Sequence, residues 1–169
     1  MTPTVTAAAP PFHTRNDLAA DTRAAMIVLL NERLADAIDL GLQAKQAHWN
    51  VKGPHFKPLH DLFDATNALA LEWADELAER AVQLGGVAEG LVGAVRDRSR
   101  LPAFPTSAPH ARAWTEAVAA AVEFTANALR ADIEDATAAG DAVTADILTS
   151  IAGAADKQLW FVEAHLEGL

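Results

Sequence analysis

The sequence predicts an all-α protein, a four-helix bundle whose second and third helices are joined by a long crossover. Three observations carry this. Apolar residues recur at three- and four-residue steps through four long stretches, as amphipathic helices require. Turn-forming residues gather at Gly53-Pro54, Gly85-Gly86 and Gly140-Asp141 and leave the stretches between them unbroken. The middle link, about twenty residues long, is too long for a simple helix–helix turn and long enough to span a bundle. The composition agrees, with abundant Ala, no Tyr and no Cys.

Each element follows from its own residues. Residues 1–16 are small, Thr/Ala/Pro-rich and aperiodic at the start, and read as a flexible tail; residues 17–169 form the domain. The first helix is expected from Leu18 to Asn50, with Leu30, Leu34, Ala37, Gly41 and Ala44 on one stripe and His48 continuing it. Gly53-Pro54 breaks it, and Pro58 is tolerated in the first turn of the second helix. That helix, Lys57 to Leu84, buries Leu59, Leu62, Phe63, Thr66, Leu69, Ala70, Trp73, Leu77 and Leu84, and Gly85-Gly86 caps it. A short helix is expected over Val87–Val95 within the link. The third helix runs from Ala108 to Ala139 with Ser107 as N-cap and Pro109 near the start. The fourth runs from Ala142 to Glu167 after an Asp141 N-cap, with Leu148, Ile151, Ala155, Leu159, Val162 and Leu166 on one face.

Composition narrows the function. Twenty-three Asp+Glu against 13 Lys+Arg give a formal net charge of −10, which repels nucleic acid at long range. Without Cys there is no thiolate metal site, disulfide or thiol chemistry. No apolar run reaches the length of a membrane span, and Met1–Phe12 lacks the features of a signal peptide, so the expected location is the cytoplasm.

The chemistry lies in His48, His60, Asp64, Asp75 and Glu79. The last four form two i,i+4 pairs, H-x3-D and D-x3-E, on one helix. At about 100° and 1.5 Å per residue they share a sector about 100° wide, yet Asp64 and Asp75 lie about 16 Å apart along the axis. One ion cannot touch both pairs of the same chain. The sector faces away from the core stripe. A solvated polar face is the ordinary explanation for such a position. Here, however, the sector also holds Ala68, Leu71, Ala78 and Val82, and almost no Lys or Arg. A second copy packed antiparallel about a two-fold axis near Leu69-Ala70 sets His60/Asp64 of one chain against Asp75/Glu79 of the other. Two equivalent sites result, about 22 Å apart along the axis. Imidazole plus carboxylate suits Fe(II), and also Zn(II), Mn(II) or Co(II). His48 alone reads as a hydrogen-bonded core histidine; as part of the set it reads as a further ligand. No Glu-x-x-His occurs, so the di-iron centre that ferritin-type bundles build inside one subunit is excluded.

The stretch AKQAHWNVKGPHFKPLHDLFDATNALALEWADELAERAVQLGG, residues 44–86, strongly resembles the Dps family, the ferritin-like mini-ferritins called DNA protection during starvation proteins. The resemblance runs from TRNDL at Thr14 to DKQLWFVEAHLE near the end, and H-W-N with the two downstream pairs is its specific part. It implies that His48, His60 and Asp64 come from one subunit and Asp75 and Glu79 from its two-fold mate. It further implies a hollow dodecamer that oxidises Fe(II) with H2O2 and/or O2, stores ferric mineral and protects against oxidative damage, with Zn2+ also able to occupy the site.

Other residues carry weaker signals. Trp49 and Trp160 resemble tryptophans near the family's centre, with simple packing as the alternative. Lys45, one turn before Trp49, is placed to make a salt bridge at the site, and Arg80 to pair with an acid at a subunit contact. Asp141 and Asp146 suit the start of a helix, with an acidic pore as the other reading. His13, His55, His110 and His165 have no partner spacing and read as surface residues. Family members that bind DNA commonly use basic tails. Here the first sixteen residues hold Arg15 alone, so weak or absent DNA binding is expected, against the alternative of a nucleoid-compacting protein.

Overall fold

Four long apolar stripes can leave water only by packing on one another. The computed structural model, which describes residues 12–168, does this with five α-helices and, among the described residues, no β-strand. These are α1 Ala20–Asn50, α2 Phe56–Gln83, α3 Val92–Arg98, α4 Ala111–Ala138 and α5 Ala142–Ala164, followed by a 3-10 turn over Leu166–Gly168. The strongest packing is α1 on α2 and α4 on α5; α1 also meets α4, which joins the two hairpins into one bundle. The core between them is built from Leu30, Leu40, Phe63, Leu77, Trp114, Leu129 and Ile151, with many alanines allowing close helix approach.

The α2 stripe is buried at Leu59, Phe63, Thr66, Ala70, Trp73, Leu77 and Leu84, while Leu62 and Leu69 sit at its edge, half-buried. Thr66 is the one polar group in that stripe. It is satisfied twice, donating to the Leu62 carbonyl at 2.9 Å and accepting from Gln158 Nε2 at 2.7 Å. Gly85, at φ 91°, ends α2. The Gly86 amide bonds the Ala81 carbonyl and the Gly85 amide bonds Val82, the pattern of a Schellman cap.

Several boundaries differ from the sequence expectation, each for a local reason. The short helix in the link is Val92–Arg98, not Val87–Val95. The carbonyl of Val87 and the amide of Glu89 are both taken by the buried Asn31 side chain of α1, at 2.9 and 2.8 Å. That backbone is bound to α1 instead of coiling. α4 starts at Ala111 with an extended His110 before it and no side-chain cap, so Ser107 is not its N-cap. Pro109 disfavours helical backbone at Ala108, which moves the start downstream. α5 stops at Ala164. Residues 1–11 of the expected tail lie outside the described residues. The rest of it is tied down: the Phe12 amide donates to the Gly85 carbonyl at 3.0 Å and Thr14 Oγ1 to Gln83 at 3.4 Å.

Candidate metal centre

His48 leaves the last turn of α1 and His60 the first turns of α2, and the tight Gly53-Pro54 link brings them together. Their rings stack, with centroids 3.7 Å apart and planes 21° off parallel. His48 Nδ1 lies 2.8 Å from the His60 carbonyl, and His60 Nδ1 lies 2.9 Å from the His48 carbonyl. A carbonyl only accepts, so each Nδ1 carries the proton and donates. In the neutral ring this assigns the lone pair to Nε2, the atom that binds a metal, and the backbone fixes ring orientation as an outer-shell partner does. Phe56, one turn before His60, supports its ring at 5.0 Å. Neither the reciprocal pair nor the Phe56 contact was visible in spacing alone, although F-x3-H at i,i+4 was its signal.

Asp64 is exposed one turn beyond His60, and Lys45 of α1 grips its Oδ1. That hydrogen bond holds the Asp64 carboxyl below the usual aspartate range, helped by the charge of Lys45 and the nearby His48 and His60 rings and opposed by slight desolvation. The salt bridge expected of Lys45 therefore falls on one of the expected ligands. Among the described residues no three His, Asp or Glu side chains converge closely enough to hold an ion. Asp75 and Glu79 are exposed on the same unbroken helix, without an ion-pair partner among the described residues, about 16 and 22 Å along from Asp64. One subunit thus stacks His48 on His60, carries Asp64 one turn further along α2, and leaves Asp75 and Glu79 far from them.

The face around them is apolar. Leu71 and Val82 on that side of α2 are more than half exposed; elsewhere on the subunit so are Leu42 on α1 and Leu91 and Val92 at the start of α3. Trp49 is 65% exposed and Trp160 64%, so packing within the subunit does not account for either.

Other expectations are corrected. Arg80 pairs with an acid inside its own subunit. It is 5% exposed and bonds Asp141 Oδ1 at 2.8 Å and Thr144 Oγ1 at 2.9 Å inside the bundle. Asp141, 1% exposed, also caps α5 by accepting from the Thr144 amide at 3.0 Å. Buried and so engaged, it presents nothing to a pore; Asp146 is exposed. His13, His55 and His110 are at the surface, whereas His165 is half-buried with Nδ1 2.7 Å from the Phe161 carbonyl.

Sequence reasoning missed a buried charge cluster between α1 and α4. Arg33 lies 3.1 Å from Asp36 and 3.5 Å from Asp132, and Asp36 also accepts the Arg100 amide at 2.8 Å. Burial raises Asp36, and lifts Asp132 to about 6 against the pull of Arg33. The signal was the i,i+3 spacing of Arg33 and Asp36 on α1.

Comparison with known proteins agrees with this architecture. A family model described as Ferritin-like domain matches residues 27–169. A DNA protection during starvation protein of Agrobacterium fabrum is 43% identical over 91% of this chain and 95% of its own length. The structure of DpsA14 from Streptomyces coelicolor superposes with a TM-score of 0.87 at 32% identity, covering 94% of each chain. An archaeal Dps homologue from Halobacterium salinarum gives 0.87 at 27% identity, over 98% of this chain and 92% of that one. A helical bundle with a ferritin-type crossover, matched along nearly its whole length in sequence and shape, places this chain in the Dps family of ferritin-like mini-ferritins.

Proposed function

We propose that this protein oxidises Fe(II) and stores the ferric product, using sites formed between two copies of the chain. The observation that carries the reading is the half-site. Two histidines, oriented through Nδ1 by each other's backbone, stand beside Asp64. The carboxylates that would complete the set, Asp75 and Glu79, lie beyond reach on the same apolar face. An antiparallel mate supplies them and covers Leu71, Val82 and Trp49 in the same step. Trp49 and Trp160 then lie at or near that contact rather than in water.

Iron is the substrate. Neutral imidazole and carboxylate donors accept Fe(II), and Zn(II) competes for them. For Asp64 to bind iron, Lys45 must let go of it, so the lysine acts as a resident counter-ion that the metal displaces. H2O2 as oxidant takes one electron from each of two Fe(II) ions and, with two protons, leaves as two waters; O2 is the alternative oxidant. Removing both Fe(II) and peroxide limits hydroxyl-radical formation, which is the protective role. Storage needs a closed shell, for which we propose the dodecamer, with exposed Asp146 drawing Fe(II) towards an entry pore. No helix among the described residues is long and apolar enough to cross a membrane, and we assign the assembly to the cytoplasm.

The test is stopped-flow Fe(II) oxidation with H2O2 or O2, alongside the mass of the assembly. His60→Ala/Asp64→Ala abolishes the fast phase and keeps a helical oligomer. Unchanged kinetics in that variant sink the assignment. The competing role, DNA compaction, is disfavoured by the −10 charge and a first sixteen residues with Arg15 as their sole Lys or Arg. A tight gel shift at about 0.15 M salt would restore it.

A further inference from the structure

A basic cavity lies at the end of the bundle, where the α1–α2 link meets the approach to α4. The cavity there is about 680 Å3, and none of the five metal-site residues lines it. Lys52, His55, His110 and Arg112 line it, with the Ser107 hydroxyl and the buried Trp114 in its wall. Among the described residues that line it there is no carboxylate. On a chain with 23 acids and 13 Lys+Arg, that reverses the sign of the surroundings. Arg112 is steadied by Glu116 at 2.7 Å, one turn along α4 and outside the lining. Lys52 is exposed and makes no ion pair among the described residues. Its ammonium, the guanidinium of Arg112, the imidazole N–H groups and the Ser107 hydroxyl are all hydrogen-bond donors.

We propose that this cavity binds the phosphoryl group of a small phosphorylated molecule. Lys52, the two imidazoles and Ser107 meet no carboxylate in the lining, and Arg112, already held by Glu116 and the Leu166 carbonyl, adds positive charge. Such a set matches a tetrahedral oxyanion, and Arg and Lys are the usual phosphate partners. The size argues for an organic body attached to the phosphate. The volume falls within the range of about 300–1,000 Å3 typical of small-molecule sites and far exceeds what phosphate alone fills. Trp114 and the flanking prolines give that body an apolar wall.

The test is calorimetric titration of the assembled, metal-free full-length protein at constant ionic strength in chloride. The probes are a nucleoside monophosphate, inorganic phosphate and the unphosphorylated nucleoside. Saturable binding of the monophosphate, with inorganic phosphate weaker or equal and the nucleoside silent, is expected. Lys52→Glu should weaken it by about tenfold or more, the size of one lost charge-assisted contact. Lys57→Glu, the same charge change on an exposed residue outside the cavity, should stay within about twofold of the unaltered protein. His110→Gln, which removes no helix cap, gives the same reading should Lys52→Glu disturb assembly. No saturable binding overturns the proposal. So does equal weakening by Lys52→Glu and Lys57→Glu, which would mean general electrostatics, or equal binding of the bare nucleoside.

Discussion

His48 and His60 hold each other by backbone: each Nδ1 donates to the other's carbonyl, at 2.8 and 2.9 Å, across the link between α1 and α2. The two backbone carbonyls orient both rings. Orienting two ligands from two helices in this way removes part of the ordering cost from metal binding. It also couples the site to the bundle, because moving either ring requires moving the helix end that carries the opposite carbonyl.

The proposed two-chain site predicts an outcome that no one-chain site shares. A His60→Ala/Asp64→Ala chain and an Asp75→Ala/Glu79→Ala chain are each inactive alone. Co-assembled one to one with random pairing, half of the dimers are mixed, and each mixed dimer regains one of its two sites. About a quarter of the unaltered fast-phase amplitude should return by stopped-flow absorbance. A mixture that stays inactive while forming mixed dimers by mass spectrometry contradicts the two-chain geometry.

Lys45 sets how readily Asp64 is released to a metal. Lys45→Met removes a cation that competes with the incoming ion, and the Asp64 carboxyl moves back up towards the ordinary aspartate range. Zn(II) affinity, followed by calorimetry near neutral pH, should rise by about two- to fivefold, the scale of an exposed ion pair. The gain should shrink at high salt, where the lysine is already screened. A loss of affinity would show instead that Lys45 positions Asp64 for the metal.

How much of this was legible in the sequence depended on what fixes each feature. The helices and the buried faces of α1 and α2 follow from apolar period, a local property of chain geometry. The separation of His60/Asp64 from Asp75/Glu79 follows from the rise of one helix, so the proposal of a second chain was available before any contact was known. What stayed hidden depends on long-range pairing. Asn31 takes the backbone of Val87 and Glu89 across 56 and 58 residues and displaces the short helix. Arg80 finds Asp141 across 61 residues, inside the fold rather than at its surface. Helical periodicity places Arg80 on the α2 face but does not say that the start of α5 arrives there.

The Arg80–Asp141 pair should behave as a buried ion pair with a helix cap attached. Asp141→Ala removes the cap of α5 and leaves a guanidinium without its charge in a site where Arg80 is 5% exposed. A loss of about 3–5 kcal/mol is expected from breaking such a pair, with the cap adding about 1. Replacing both, as Arg80→Met/Asp141→Asn, should recover much of that, because Asn still caps and no charge is stranded. Urea denaturation of the three proteins measures the difference. A double variant no more stable than Asp141→Ala would mean that the hydrogen bonds Arg80 donates to Thr144 Oγ1 at 2.9 Å and to Gln83 Oε1 at 3.4 Å, not the ion pair, hold this corner.

The Arg33 cluster makes stability depend on pH in the opposite sense to an ordinary surface aspartate. Asp132 in the fold is lifted to about 6 by burial, above its unfolded value of about 3.9. The folded state therefore holds the proton more tightly. Its contribution is fully present below about pH 4 and is lost as pH rises through about 6, so that the buried charge is a cost at neutral pH. Asp36, also raised by burial, acts in the same direction. Asp132→Asn keeps the shape without the charge. It should raise the melting temperature at pH 7.5 by a few degrees, change it little at pH 3.5, and flatten the dependence between them without abolishing it, since Asp36 remains. Scanning calorimetry at the two pH values checks this. A variant less stable than the unaltered protein at pH 7.5 would mean that the pull of Arg33 on Asp132, at 3.5 Å, outweighs the cost of burying its charge.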